Sequence, residues 1–156
     1  MPNNHPDHAN VKVPPPVLAV LHILAAFLLQ RIFPLYLPFA YIFPVIGGLF
    51  VLLGLGLSFS AIREFAMAHT TLDPHGTVST VVTSGPYQFT RNPIYLGFLC
   101  MLIGFPMLFG TWWGLILVPV FMLFMNLLVI QHEEAYLEKK FGEAYTSYKS
   151  RVRRWL

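Results

Sequence analysis

Four apolar runs, at about 17–32, 42–62, 93–109 and 112–130, constrain this chain more than any other feature. The second is the cleanest and is long enough to cross a hydrocarbon core of ~30 Å. Inside such a core every backbone N–H and C=O must be satisfied within the segment itself, which favours helices. The expected fold is therefore an all-α integral membrane protein with about four transmembrane helices. Composition agrees: 56% of residues are hydrophobic and 11% are charged, against about 25% charged in soluble domains. A partner among nucleic acids is not expected.

At 156 residues the chain is read as one domain over 17–156, preceded by a flexible tail over 1–16. That tail is polar, proline-rich and histidine-bearing, without the features of a cleavable signal peptide. His5 and His8 flank Asp7 there, a set too sparse for a metal site, and no metal is expected. Cys100, the single cysteine, lies in an apolar run and is read as a small packing hydrophobe.

The connections carry the rest of the organisation. Pro34, Pro38 and Pro44 break the register after the first run and suit a turn at the membrane face. Glycines at 47, 48, 54 and 56, with Ser58 and Ser60, would let another helix approach the second run closely. A long polar stretch, about 66–91, follows; its β-branched part at 78–83 favours an ordered, extended path. Gly110-Thr111 makes a tight turn, so the third and fourth runs form an antiparallel hairpin, anchored at Trp112 and Trp113. The last segment, 133–156, is expected to be an amphipathic helix, with Leu137, Phe141, Tyr145, Tyr148 and Val152 at helical spacing.

With four spans, nine of the ten Lys and Arg residues fall on one side and only Arg31 on the other. The positive-inside rule then puts both termini and the 63–92 loop in the cytoplasm. On that side the hairpin sets the start of the third span beside the end of the fourth. Asn92 is a natural N-cap there and Pro93 suits the first helical position. A helix N-terminus favours an anion, while Glu133 and Glu134 arrive at the membrane boundary, where carboxylates need a partner or a ligand. An ion pair between Arg91 and one glutamate is the simplest partner. The cluster also reads as a pocket for a small zwitterionic cofactor.

Two motifs in this region carry a resemblance. Arg91-Asn92-Pro93-Ile94-Tyr95-Leu96-Gly97, then Glu133 and Glu134 followed by Phe141, Gly142, Tyr145 and Tyr148, resembles the isoprenylcysteine carboxyl methyltransferases and related phospholipid methyltransferases. The likeness covers about 70–155. It implies an integral membrane enzyme that uses S-adenosyl-L-methionine to methylate an oxygen, nitrogen or sulfur of a lipophilic or small acceptor, with membrane lipids as its surroundings. It also implies cofactor contacts at Ser79, Thr80, Val81, Val82, Tyr87, Asn92, Pro93, Ile94, Tyr95 and Glu133. Arg91, His132 and Glu134 are the candidates for orienting or deprotonating the acceptor.

Two positions depart from the pattern. Asn92 stands where the family has histidine, which removes any acid–base role there. Val129 stands where the isoprenylcysteine enzymes place an arginine that meets the substrate carboxylate; Arg91, Asn126 and Gln131 are the nearest polar groups. A non-catalytic membrane scaffold of the same fold is one alternative. An NADPH-dependent enzyme resembling the sterol reductases is another, although the chain has too few spans for that architecture.

Overall fold

Helices α2 (Ile42–Met67) and α3 (Pro93–Leu108) run antiparallel and touch backbone to backbone. In this computed structural model, which describes residues 8–38, 41–71 and 76–156, their contact is built on two pairs of small residues. A Cβ on Gly54 would lie 2.5 Å from the Gly97 carbonyl oxygen, and one on Gly47 would lie 2.6 Å from that of Gly104. The pairs are seven residues apart on each helix, two turns, so one face of each carries both. A Cβ on Gly48 would only touch the Leu108 side chain at 3.8 Å and one on Gly56 would meet nothing within 4 Å, so only part of the small-residue pattern is needed for the close approach.

The remaining spans pack around that pair. Helix α1 (Pro15–Ile32) lies against α3 and the start of α4, a continuous helical rod over Trp113–Phe141. His22 of α1 is buried, its Nε2 3.3 Å from the Gly114 carbonyl and its ring edge-on to Phe121 at 5.6 Å. It serves packing between α1 and α4. Three helices, α1, α2 and α4, are long and apolar enough to cross a membrane. Helix α3 is apolar but has 16 residues, a length of about 24 Å at 1.5 Å per residue. Outward-facing side chains are large and apolar along these helices, Phe59 being 72% exposed, as lipid contact requires.

The expected hairpin is present, and its turn is zipped to the α1–α2 connection. Leu37 N–H donates to the Gly110 carbonyl at 2.8 Å and Trp112 N–H to that of Leu35 at 3.1 Å. Trp113 Nε1 donates to the Phe33 carbonyl at 2.7 Å. The most extensive partner of α3 is nevertheless α2, along the glycine seam.

Two expectations are corrected at the ends. Residues 133–156 are not one helix: α4 extends through Phe141, and Gly142, at φ +50°, breaks it before a short helix α5 (Glu143–Arg151). A positive φ costs glycine nothing and strains other residues. Residues 152–156 then leave the helix and run back along the polar face of the molecule. At the other end the tail expected to be flexible is packed from Ala9 onward. Ala9 and Val11 are buried in one apolar cluster with Leu102, Phe121, Met125, Val129 and Ile130. Residues 1–7, including His5 and Asp7, lie outside the described residues. Among the described residues no cluster of three metal-ligating side chains occurs.

Within α4, residues Asn126–Ile130 form a π-helical turn. Such turns take in an extra residue and re-aim the next stretch of helix. Here Lys12 N–H, from the N-terminal segment, reaches the Leu128 carbonyl at 3.4 Å.

Candidate functional site

The polar face is organised by a backbone clasp between the loop before α3 and the end of the chain. Arg91 N–H donates to the Arg153 carbonyl at 2.9 Å. Thr90 Oγ1 and Asn92 Nδ2 both donate to the Arg154 carbonyl at 3.0 Å. Asn92 therefore does not cap α3 with its side chain, as its position before Pro93 had suggested. Its amide is held by the tail, and its own carbonyl accepts the first helical hydrogen bond, from Leu96 N–H at 2.9 Å.

The second tie is ionic. Arg154 grips Glu134 with two hydrogen bonds, Nε to Oε1 at 3.0 Å and Nη2 to Oε2 at 2.7 Å, and donates through Nη1 to Asn126 Oδ1 at 2.5 Å. Those bonds to Glu134 hold the Arg154 guanidinium above its ordinary pKa. Arg91 Nη1 lies 3.3 Å from Glu134 Oε1, and Lys149 Nζ lies 3.5 Å from Oε2. The ion pair read from the sequence as the simplest partner for Arg91 is thus present, within a larger network. Both oxygens of Glu134 are engaged, which fits a structural hub and leaves no free base there.

Between these ties lies a cavity of about 140 Å³. Its walls come from the 78–82 stretch, the start of α3, the polar end of α4 and α5, with Ala9 and Phe65 closing the sides. On one wall Tyr95 Oη donates to Glu133 Oε1 at 2.6 Å. Tyr148 Oη donates to the Tyr87 carbonyl at 2.8 Å, tying α5 to the short 3₁₀ turn Gly85–Gln88. Burial pushes the Tyr148 phenol up to about 12 and holds those of Tyr87 and Tyr145 well above their ordinary value. All three stay neutral at working pH.

The cavity brings together most of the residues singled out from the sequence. Thr80, Val81, Val82, Tyr87, Asn92, Ile94, Tyr95 and Glu133 line it, as do Arg91 and Glu134. Ser79, Pro93 and His132 do not. Ser79 is exposed and bonded to Thr70 and His69, Pro93 is buried as the first residue of α3, and the buried Nδ1 of His132, away from the lining, has no hydrogen-bond partner among the described residues.

Several participants were not legible as such. Tyr136, Leu137, Tyr145 and Tyr148 line the cavity; their helical spacing had marked three of them as an amphipathic face, which here covers a pocket. Ala9 carries no signal in the sequence. Val129 is wholly buried in the cluster with Ala9 and Val11, so the N-terminal segment fills the space next to it.

A membrane-embedded helical bundle with a partly enclosed pocket, lined by both polar and apolar side chains, defines the class. A family model for phospholipid methyltransferase matches residues 42–144, and the chain belongs to that family of membrane methyltransferases. Over 105 residues, 66% of the chain, it is 30% identical to protein-S-isoprenylcysteine O-methyltransferase of Schizosaccharomyces pombe, of which the match covers 44%. Over 66 residues, 40% of the chain, it is 42% identical to the full length of an uncharacterized protein of Haemophilus influenzae. No solved structure matches the chain.

Proposed function

We propose that the chain transfers a methyl group from S-adenosyl-L-methionine to a lipophilic or small acceptor at the cytoplasmic membrane face. The observation that carries this reading is the pocket itself, which gathers the Glu133–Tyr95 pair, Arg91 and the apolar side chains of Val81, Val82 and Ile94. The residues present suit a cofactor that is zwitterionic at one end, carries hydroxyls, and has a flat aromatic base. Glu133 would accept from hydroxyl or ammonium groups, held in place by Tyr95. The apolar walls would enclose the base, and the clasped loop would keep the start of α3 still.

When bound, the cofactor would supply an electrophilic methyl group on a sulfonium for a nucleophilic atom of the acceptor. Such a step depends on alignment within about 3–3.5 Å and on exclusion of water more than on an acid or base. The buried tyrosines and apolar walls provide that exclusion. Glu134 is assigned to scaffolding. The cofactor would enter from the aqueous side and a lipophilic acceptor from the bilayer.

Protein purified into lipid nanodiscs is expected to bind S-adenosyl-L-methionine, and Glu133→Ala to weaken binding by at least about tenfold, the loss of one charge-assisted hydrogen bond. No binding at millimolar cofactor would sink the reading, and thermal stabilisation by NADPH instead would favour a reductase. Membranes supplied with methyl-labelled cofactor, with and without the protein, would then identify the labelled acceptor.

A further inference from the structure

Arg91 has donors to spare in a place where a charged donor is rarely left idle. Its side chain is 9% exposed and lines the pocket. Neither Nε nor Nη1 has a hydrogen-bond partner among the described residues. Nη1 is near Glu134 Oε1 at 3.3 Å, close enough for attraction but not aligned as a hydrogen bond. Glu134 is already committed, since Oε1 accepts from Arg154 Nε and Oε2 from Arg154 Nη2.

Three cations, Arg91, Arg154 and Lys149, share Glu134 and Glu138, while the pocket's other carboxylate, Glu133, takes its hydrogen bond from Tyr95. Buried polar groups without partners are costly and uncommon, and a buried charge more so. The backbone on which Arg91 sits is held by the Arg153 carbonyl at 2.9 Å, so the guanidinium is kept at the pocket rather than free to reach water.

We infer that Arg91 is the anion-recognising residue of this pocket, receiving a carboxylate or phosphate on its unpaired N–H groups. Guanidinium donors form strong, charge-assisted bonds to such oxygens. The inference rests on the methyl-transfer reading only for the source of the anion, which is either the amino-acid end of the cofactor or an anionic group on the acceptor.

Two binding arms distinguish the sources, using wild type, Arg91→Gln and Arg91→Lys in lipid nanodiscs. The first compares S-adenosyl-L-methionine with its decarboxylated analogue. The second, without cofactor, compares hexanoate and hexyl phosphate with hexanol. Wild type is expected to prefer the anion-bearing ligand by about tenfold in one arm, with the preference lost in Arg91→Gln and partly restored in Arg91→Lys. A preference in the first arm assigns the anion to the cofactor, and one in the second assigns it to the acceptor. No preference in wild type in either arm, or a preference that survives in Arg91→Gln, overturns the inference. The wild-type comparison needs no variant, so a misfolded substitution does not shield it. Because the second arm contains no cofactor, a protein that fails to bind S-adenosyl-L-methionine still reports on Arg91.

Discussion

Arg154 and Glu134, twenty residues apart, form a two-pronged ion pair at 3.0 and 2.7 Å that fastens the end of the chain to the polar end of α4. The backbone carbonyl of the same arginine receives Thr90 Oγ1 and Asn92 Nδ2. One residue thus joins three parts of the pocket frame: the loop before α3, α4 and the tail.

Removing the 153–156 tail should therefore loosen the pocket without touching a span. Deletion of 153–156, or Arg154→Ala, is expected to lower the melting temperature and weaken cofactor binding together. Each charge-assisted hydrogen bond lost is worth about 1.5–3 kcal/mol. Arg154→Lys keeps the charge but not the two-pronged geometry and should fall between. Thermal denaturation with and without cofactor measures both; wild-type stability and affinity in the deletion would refute the clasp.

The Tyr95–Glu133 hydrogen bond at 2.6 Å orients the carboxylate that the proposed cofactor meets. Tyr95→Phe keeps the ring and loses the donor, so cofactor affinity should drop by about tenfold or less while the fold persists. Glu133→Gln should cost more than Tyr95→Phe, because it removes the charge itself. Equal affinity across wild type and both variants, read by titration calorimetry, would remove the pair from the site.

The glycine seam makes a position-specific prediction within one helix. Gly54→Leu must displace the Gly97 carbonyl 2.5 Å from its Cβ, whereas a Cβ on Gly56 meets nothing within 4 Å. Overpacking costs about 1–3 kcal/mol, and more against backbone. Gly54→Leu should lose folded yield in detergent and Gly56→Leu should not. Equal behaviour of the two would contradict the α2–α3 contact.

Val129 tests the departure from the family pattern. It is wholly buried beside Ala9 and Val11, so Val129→Arg would place a charge in a dry apolar cluster. An uncompensated buried charge costs about 3–5 kcal/mol, and the variant should be unstable or should expel the N-terminal segment. Protease cleavage near residues 8–14 would report the expulsion; a fully stable, protease-resistant Val129→Arg would show that the cluster tolerates a polar occupant.

Legibility from sequence follows the range of the interactions involved. The spans were legible because lipid exposure demands continuous apolar runs; the starts of α1, α2 and α3 lie within about two residues of the expected ones. The pocket was largely legible because Arg91 through Tyr95 and Glu133-Glu134 sit at opposite ends of one hairpin, which a tight turn makes neighbours. Asn92 makes no side-chain cap on α3; its side chain is instead oriented by the hydrogen bond that Nδ2 donates to the distant Arg154 carbonyl.

The sequence by itself determined a helical membrane protein, the order of its helices, and the polar cluster at one end of the hairpin, since each depends on local pattern and chain connectivity. Only the tertiary structure decided that α3 pairs most closely with α2, that a π-turn interrupts α4, and that residues 8–14 and 152–156 fold back onto the pocket. It also decided that Glu134 is consumed by Arg154 while Arg91 keeps unpaired donors. Those outcomes depend on how closely particular backbones approach and on which of several donors reaches a carbonyl some sixty residues away. Periodicity and composition carry no record of either.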